Sequence, residues 1–327
     1  MAHRITYVEG VIEALAQCMR EDPDIFLMGQ DIGPFGGTMQ STKGLWEEFG
    51  WERVVDTPIS EGGTAGLAVG AALMGLKPVM EISFGEFLPA VMNEVVTQAP
   101  GVYYYTGGHS NCPVVFRTKV GDGPYRGHPQ CYEAWFPHIP GLKTVMPAFP
   151  EDCKGLMVAA IREPNPVLFI EDMYLYHAIR GEVPEEVYET PIGQARLVRE
   201  GKDVTVVATG WYVHKAIAAA RQLAQDNIDV EIVDPRTLAP LDLATILESV
   251  KKTGRAVTAH ESWKIGGFGA EIAAEIAEDG FGYLKAPIVR VGAPHTPVPI
   301  PKPLRDVFLP DVDDIVDAVK KVVSYRA

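Results

Sequence analysis

Short runs of β-branched residues alternate with stretches of helical periodicity along almost the whole chain, and few folds accept that rhythm. Val8, Val11, Ile12, Leu15 and Met19 recur at helical spacing and predict a first helix with one buried face. Strands are predicted at 25–28, 53–55, 79–82, 114–117, 145–147 and 167–170, with helices at 65–76, about 88–98 and 153–161 between them. Strands separated by helices form parallel sheets covered on both faces. A polar stretch at 180–190, with Gly181, Pro184 and four glutamates, interrupts the pattern. It then restarts, with strands predicted at 204–208, 230–233, 256–259 and 288–291 and helices at 213–224, 243–250, 270–276 and 312–323. The expectation is an α/β chain with two open parallel or mixed sheets in series, divided into domains 1–185 and 186–327.

A length of 327 residues suits two domains, each large enough to bury a core. The formal net charge of -14, with no block of Lys and Arg, argues against nucleic-acid binding. The longest uncharged apolar stretch, 62–76, is too short and too rich in glycine to span a bilayer, so no membrane span is expected. Cys18, Cys112, Cys131 and Cys153 form no Cys-x-x-Cys pair, which disfavours a zinc site or a disulfide framework. The first residues lack the apolar core of a signal peptide, and a cytoplasmic location is expected.

Asp56-Thr57-Pro58-Ile59-Ser60-Glu61 ends a predicted strand and opens a Gly-rich helix, which places Glu61 at the carboxyl edge of a parallel sheet, where ligands bind. Position alone favours the plainer reading, an acid stabilised by the dipole of a first helical turn. Gly63, Gly66 and Gly70, among several alanines, let another backbone approach that helix closely, as at a subunit interface. His128 lies in a Gly/Pro-rich loop flanked by aromatic residues and is the stronger candidate among the histidines. His138 reads as structural and His260 as ambiguous. Gly266-Gly267-Phe268-Gly269 lacks the last glycine of a dinucleotide fingerprint, and the common hydrolase motifs are missing.

Taken in order, the Asp56–Glu61 run, Gly70-Ala71-Ala72, Gly75-Leu76-Lys77-Pro78, His128-Pro129-Gln130, His138-Ile139-Pro140-Gly141-Leu142-Lys143 and Asn165-Pro166 resemble a known family. His260-Glu261, Gly267-Phe268-Gly269-Ala270-Glu271 and Thr296-Pro297-Val298-Pro299 extend the match over nearly the whole chain. That family is the beta subunit of the thiamine diphosphate-dependent, decarboxylating component of 2-oxo acid dehydrogenases.

The resemblance implies a pyrimidine-binding domain followed by a transketolase-type C-terminal domain. It implies that Glu61 hydrogen-bonds N1′ of the cofactor's aminopyrimidine, Phe87 packs on that ring and His128 assists proton movement and transfer to a lipoyl group. Val114, Ala160, Ile161, Glu163 and Asn165 align with a monovalent-cation site, for which potassium is the expected ion. Thiamine enzymes hold magnesium and diphosphate with Gly-Asp-Gly followed, about a helix and a strand later, by Asn. Here Gly121-Asp122-Gly123 is followed by no Asn before Asn165 and reads as a loop turn. The magnesium–diphosphate site is therefore expected on an alpha subunit, in a two-alpha, two-beta heterotetramer that serves a lipoyl acyltransferase core.

The sequence departs from the family at Pro129, at Asn93-Glu94 and at Gln30. Proline removes a hydroxyl and a backbone donor beside His128. Two alternatives therefore stand beside 2-oxo acid decarboxylation: cleavage of acetoin or a related ketone, including split-transketolase chemistry, and a non-catalytic structural or regulatory subunit.

Overall fold

A computed structural model of the chain describes residues 1–122 and 127–326 and divides them into two compact units, Met1–Ile192 and Gly193–Ala327. The third residue of the Gly-Asp-Gly triplet, Gly123, lies outside the described residues.

In the first unit the strands are β1 (Ala2–Thr6), β2 (Ile25–Gly29), β3 (Val54–Asp56), β4 (Lys77–Ile82), β5 (Val115–Val120), β6 (Lys143–Val145), β7 (Val167–Asp172) and β8 (Arg180–Pro184). The α-helices are α1 (Tyr7–Glu21), α2 (Leu45–Phe49), α3 (Glu61–Leu73), α4 (Ala99–Tyr105), α5 (Pro150–Arg162) and α6 (Leu175–Ala178). The main sheet of this unit orders its strands β6-β7-β5-β4-β2-β3, all parallel. The chain leaves β2 toward β3 on one side and returns to β4 on the other. That reversal opens a crevice at the carboxyl ends of β2 and β4.

Helix α1 forms where expected, closed at its start by a capping box between Thr6 and Glu9. It packs on α5, and Gly10 makes the approach possible, since a Cβ there would sit 2.9 Å from the Pro150 carbonyl oxygen.

Two expectations fail in this unit. The polar stretch from 180 is not wholly a linker: β8 pairs antiparallel with β1, a strand the sequence reading missed altogether. Glutamates and prolines hid both strands, because a two-stranded edge ribbon needs no apolar alternation. The helix expected at about 88–98 is instead a 3₁₀ turn at Gly85–Val91 containing Pro89, followed by a π-helical turn at Asn93–Gln98. Proline denies the turn an amide donor, and Val95, Val96 and Thr97 crowd a regular helix.

The second unit contains β9 (Arg196–Arg199), β10 (Val204–Ala208), β11 (Val230–Asp234), β12 (Thr237–Ala239), β13 (Ala256–Trp263) and β14 (Val289–Ala293). Its helices are α7 (Trp211–Leu223), α8 (Leu243–Thr253), α9 (Phe268–Gly280), α10 (Lys302–Phe308) and α11 (Val312–Val323). The sheet order is β14-β13-β10-β11-β9, parallel except for β9, which pairs antiparallel with β11. The two-sheet α/β architecture follows the alternation in the sequence. The antiparallel edge strand β9, with its arginines, was not foreseen.

Candidate active-site edge

Glu61 is the first residue of α3, and it follows the carboxyl end of β3. Strand β2 ends alongside, with the Thr57 amide donating to the Gly29 carbonyl at 2.8 Å. Gln30, directly after Gly29, donates through Nε2 to Glu61 Oε1 at 3.1 Å. The half-buried carboxylate is thus held by a side chain from the neighbouring strand end.

The 3₁₀ turn after β4 supplies the second wall. Helix α3 packs against this turn, and a Cβ on Gly62 would lie 3.1 Å from the Ala90 carbonyl oxygen. On the turn, Phe87 stands beside His128, with ring centroids 4.9 Å apart, and Phe84 flanks the same imidazole at 4.8 Å. Glu86 Oε2 lies 2.6 Å from His128 Nδ1. Gly85 allows the turn to come this close, because a Cβ there would press on the Val120 side chain at 2.7 Å. Burial, followed by the Glu86 charge, pushes the nearby Tyr132 phenol up.

Glu61, Phe87 and His128 therefore belong to elements that meet at the carboxyl edge of one sheet. The sequence reading missed Glu86, although a carboxylate between two phenylalanines in Phe84-Gly85-Glu86-Phe87 was a visible signal. His138 is exposed, away from any role the sequence suggested for a ligand.

Beneath the edge lies a group of buried charges that sequence reasoning also missed. Arg117 makes a bidentate pair with Glu171 at 2.7 and 2.8 Å and approaches Glu81 at 3.2 Å. Lys119 Nζ reaches Glu81 at 2.6 Å, and Ser41 Oγ lies 2.9 Å from both Glu81 oxygens. Burial alone would raise the Glu81 carboxyl, but Lys119 and Arg117 hold it below the usual carboxylate range. Ser41 belongs to the loop that begins at Gln30, so this group ties the loop to the sheet.

The residues aligned with a cation site gather at the opposite, amino edge of the sheet. The Val114 carbonyl accepts from the Val167 amide at 3.0 Å, and Ala160 and Ile161 lie in the last turn of α5, whose carbonyls lack partners within the helix. Asn165 Oδ1 is buried with no hydrogen-bond partner, and Glu163 pairs with Lys143 at 2.5 Å. An orphaned oxygen next to a helix C-terminus fits a monovalent cation. Asp122, by contrast, is engaged with the Tyr174 hydroxyl at 2.9 Å. Among the described residues, no group of three or more His, Cys, Asp and Glu side chains could hold a metal ion.

Comparison with known proteins gives this geometry a context. Residues 3–177 match the transketolase pyrimidine binding domain, and residues 193–315 match the transketolase C-terminal domain. The pyruvate dehydrogenase E1 component subunit beta of Rhizobium meliloti (strain 1021) is 44% identical, over 97% of this chain and 70% of its own. That of Bacillus subtilis (strain 168) is 40% identical over 98% and 99%. This chain is a member of the 2-oxo acid dehydrogenase E1 beta-subunit family. An acetoin:2,6-dichlorophenolindophenol oxidoreductase subunit beta from Cupriavidus necator, 41% identical over 99% of both chains, is a further relative. A solved structure described as a split gene transketolase, inactive beta4 tetramer, superposes with a TM-score of 0.78 at 25% identity, covering 99% of each chain. E1 beta subunits belong to thiamine diphosphate-dependent oxidoreductases that work with an alpha partner. No helix among the described residues is long and apolar enough to cross a membrane.

Proposed function

We propose that this E1 beta subunit supplies the aminopyrimidine half of a thiamine diphosphate site. The assembled enzyme then decarboxylates a 2-oxo acid and passes the acyl group to a lipoyl acceptor. The observation that carries the reading is the convergence of the Gln30–Glu61 pair with the Phe84, Phe87 and His128 cluster at one sheet edge.

These residues fit the cofactor's pyrimidine end. Glu61, a half-buried carboxylate steadied by Gln30, holds a proton at N1′. Phe87 offers a ring face for packing. His128 moves a proton at the substrate or acceptor. When bound, thiamine diphosphate supplies the nucleophilic carbon and the electron sink that lets carbon dioxide leave. Magnesium and diphosphate are assigned to the Gly-Asp-Gly site of an alpha chain, and a potassium ion to the Asn165 pocket.

Partner dependence has separate support. Gly66, Gly70 and Gly75 have no atom of this chain within 4 Å of a Cβ, while Leu67 and Met74 on the same segment are exposed at 67% and 84%. Such a surface suits the close packing of another subunit in a two-alpha, two-beta assembly. The similar split-gene transketolase is described as inactive when it consists of beta subunits alone.

The test pairs the chain with its alpha partner and offers a panel of 2-oxo acids and acetoin, with and without a lipoyl domain. Turnover of a 2-oxo acid that reductively acylates the lipoyl domain is expected. Acetoin cleavage without lipoyl dependence would favour the second relative's chemistry instead.

A further inference from the structure

The His128 imidazole is held on three sides by one short segment. Phe84 and Phe87 flank the ring at 4.8 and 4.9 Å, and Glu86 between them places Oε2 2.6 Å from Nδ1. The pair is only partly shielded from water, with side-chain exposures of 32% for His128 and 17% for Glu86. Gly85 lets this turn lie close against the Val120 side chain, where a Cβ would come within 2.7 Å. An imidazole that moves protons acts best when its ring is held in one orientation, and a carboxylate at hydrogen-bond distance from one nitrogen does that.

We propose that Glu86 is the positioning residue of His128: its carboxylate accepts the Nδ1–H and fixes the orientation of the ring. The catalytic consequence rests on the reading of this edge as the pyrimidine half of a thiamine site. The tautomer assignment does not depend on that reading. The arrangement separates two tasks, with Phe84 and Phe87 restricting tilt of the ring and Glu86 restricting its rotation.

Two measurements test the assignment. In the full chain labelled with 15N-histidine, the His128 signal, identified by its loss in His128→Asn, is expected to show Nδ1 protonated and Nε2 unprotonated when the ring is neutral. Glu86→Ala should shift that signal toward the Nε2–H form, and Glu86→Gln, which keeps an acceptor oxygen, should retain it. In the complex with the alpha partner, Glu86→Ala should lower kcat about ten- to a hundredfold while KM for the 2-oxo acid stays within about twofold, with partial recovery in Glu86→Gln. An unchanged tautomer signal in both variants overturns the assignment, and so does an Nε2–H signal in the unmodified chain. If the signals behave as expected but the wild-type complex turns over no 2-oxo acid, the positioning role stands and the functional reading fails.

Discussion

Arg117 carries its charge in the interior of the first sheet, where a lone ion would be costly, and it survives there because Glu171 and Glu81 balance it. Replacing it with leucine leaves Glu171 buried with the Tyr176 hydroxyl and Glu81 buried with Lys119 and Ser41. Arg117→Leu is expected to cost about 3–5 kcal/mol in urea unfolding. A loss below about 1 kcal/mol would show that the charges relax or take up protons at little cost. His260 gives a second residue-scale outcome. It is enclosed by Gly267, Gly269 and Gly292, and burial pushes its imidazole down to about 4 from the ordinary 6.5. The unfolded chain binds this proton more readily than the folded one. The stability is therefore complete above pH 6.5 and is lost as pH falls toward 4, by roughly 3 kcal/mol at about 1.4 kcal/mol per unit. Urea midpoints compared between pH 7 and 4.5 should fall more steeply for wild type than for His260→Leu. Glu61, Phe87 and His128 were singled out through the resemblance of local motifs, and they lie on elements that meet at one sheet edge. Glu81, Arg117 and Lys119 could not be, since what makes each of them matter is a partner on another strand or loop.

At the scale of elements, the turn at Gly85–Val91 decides how the edge is built. A methyl group at Gly85 would press on the Val120 side chain of β5 at 2.7 Å, and either the turn or that side chain would have to withdraw. Gly85→Ala is expected to cost about 1–3 kcal/mol and to lower turnover of the assembled enzyme. Retained stability and turnover would show that the turn and the Val120 side chain adjust freely. Long periodic elements were legible: the helix expected at 312–323 is α11, Val312–Val323, because its apolar residues repeat on one face. Elements governed by tertiary pairing were not. The β1–β8 ribbon and β9 carry charged residues and find their register only from the partner strand. The break in the 88–98 segment follows from Pro89 and the β-branched residues after it, which a count of apolar spacing overlooks.

For the whole molecule, the exposed small-residue face of α3 and the one-sided site point the same way. Gly66→Leu adds a side chain to α3 where nothing beyond its own helix lies within 4 Å, so the isolated subunit should unfold at an unchanged or slightly higher urea midpoint while assembly with the alpha chain weakens. Unchanged assembled mass and stability would place the interface elsewhere. The central claim is that Glu61 activates the cofactor within a site the partner completes. It is tested most directly by deuterium exchange at thiamine C2 in the assembled complex, comparing wild type with Glu61→Gln, each saturated with cofactor. Glutamine preserves size and can still bond Gln30, but it cannot share an acidic proton at N1′. The exchange rate should fall by about a hundredfold or more, while cofactor affinity changes far less, since the proposed function assigns the diphosphate and magnesium contacts to the alpha chain. Exchange at the wild-type rate in the saturated mutant would contradict Glu61 as the activating acid.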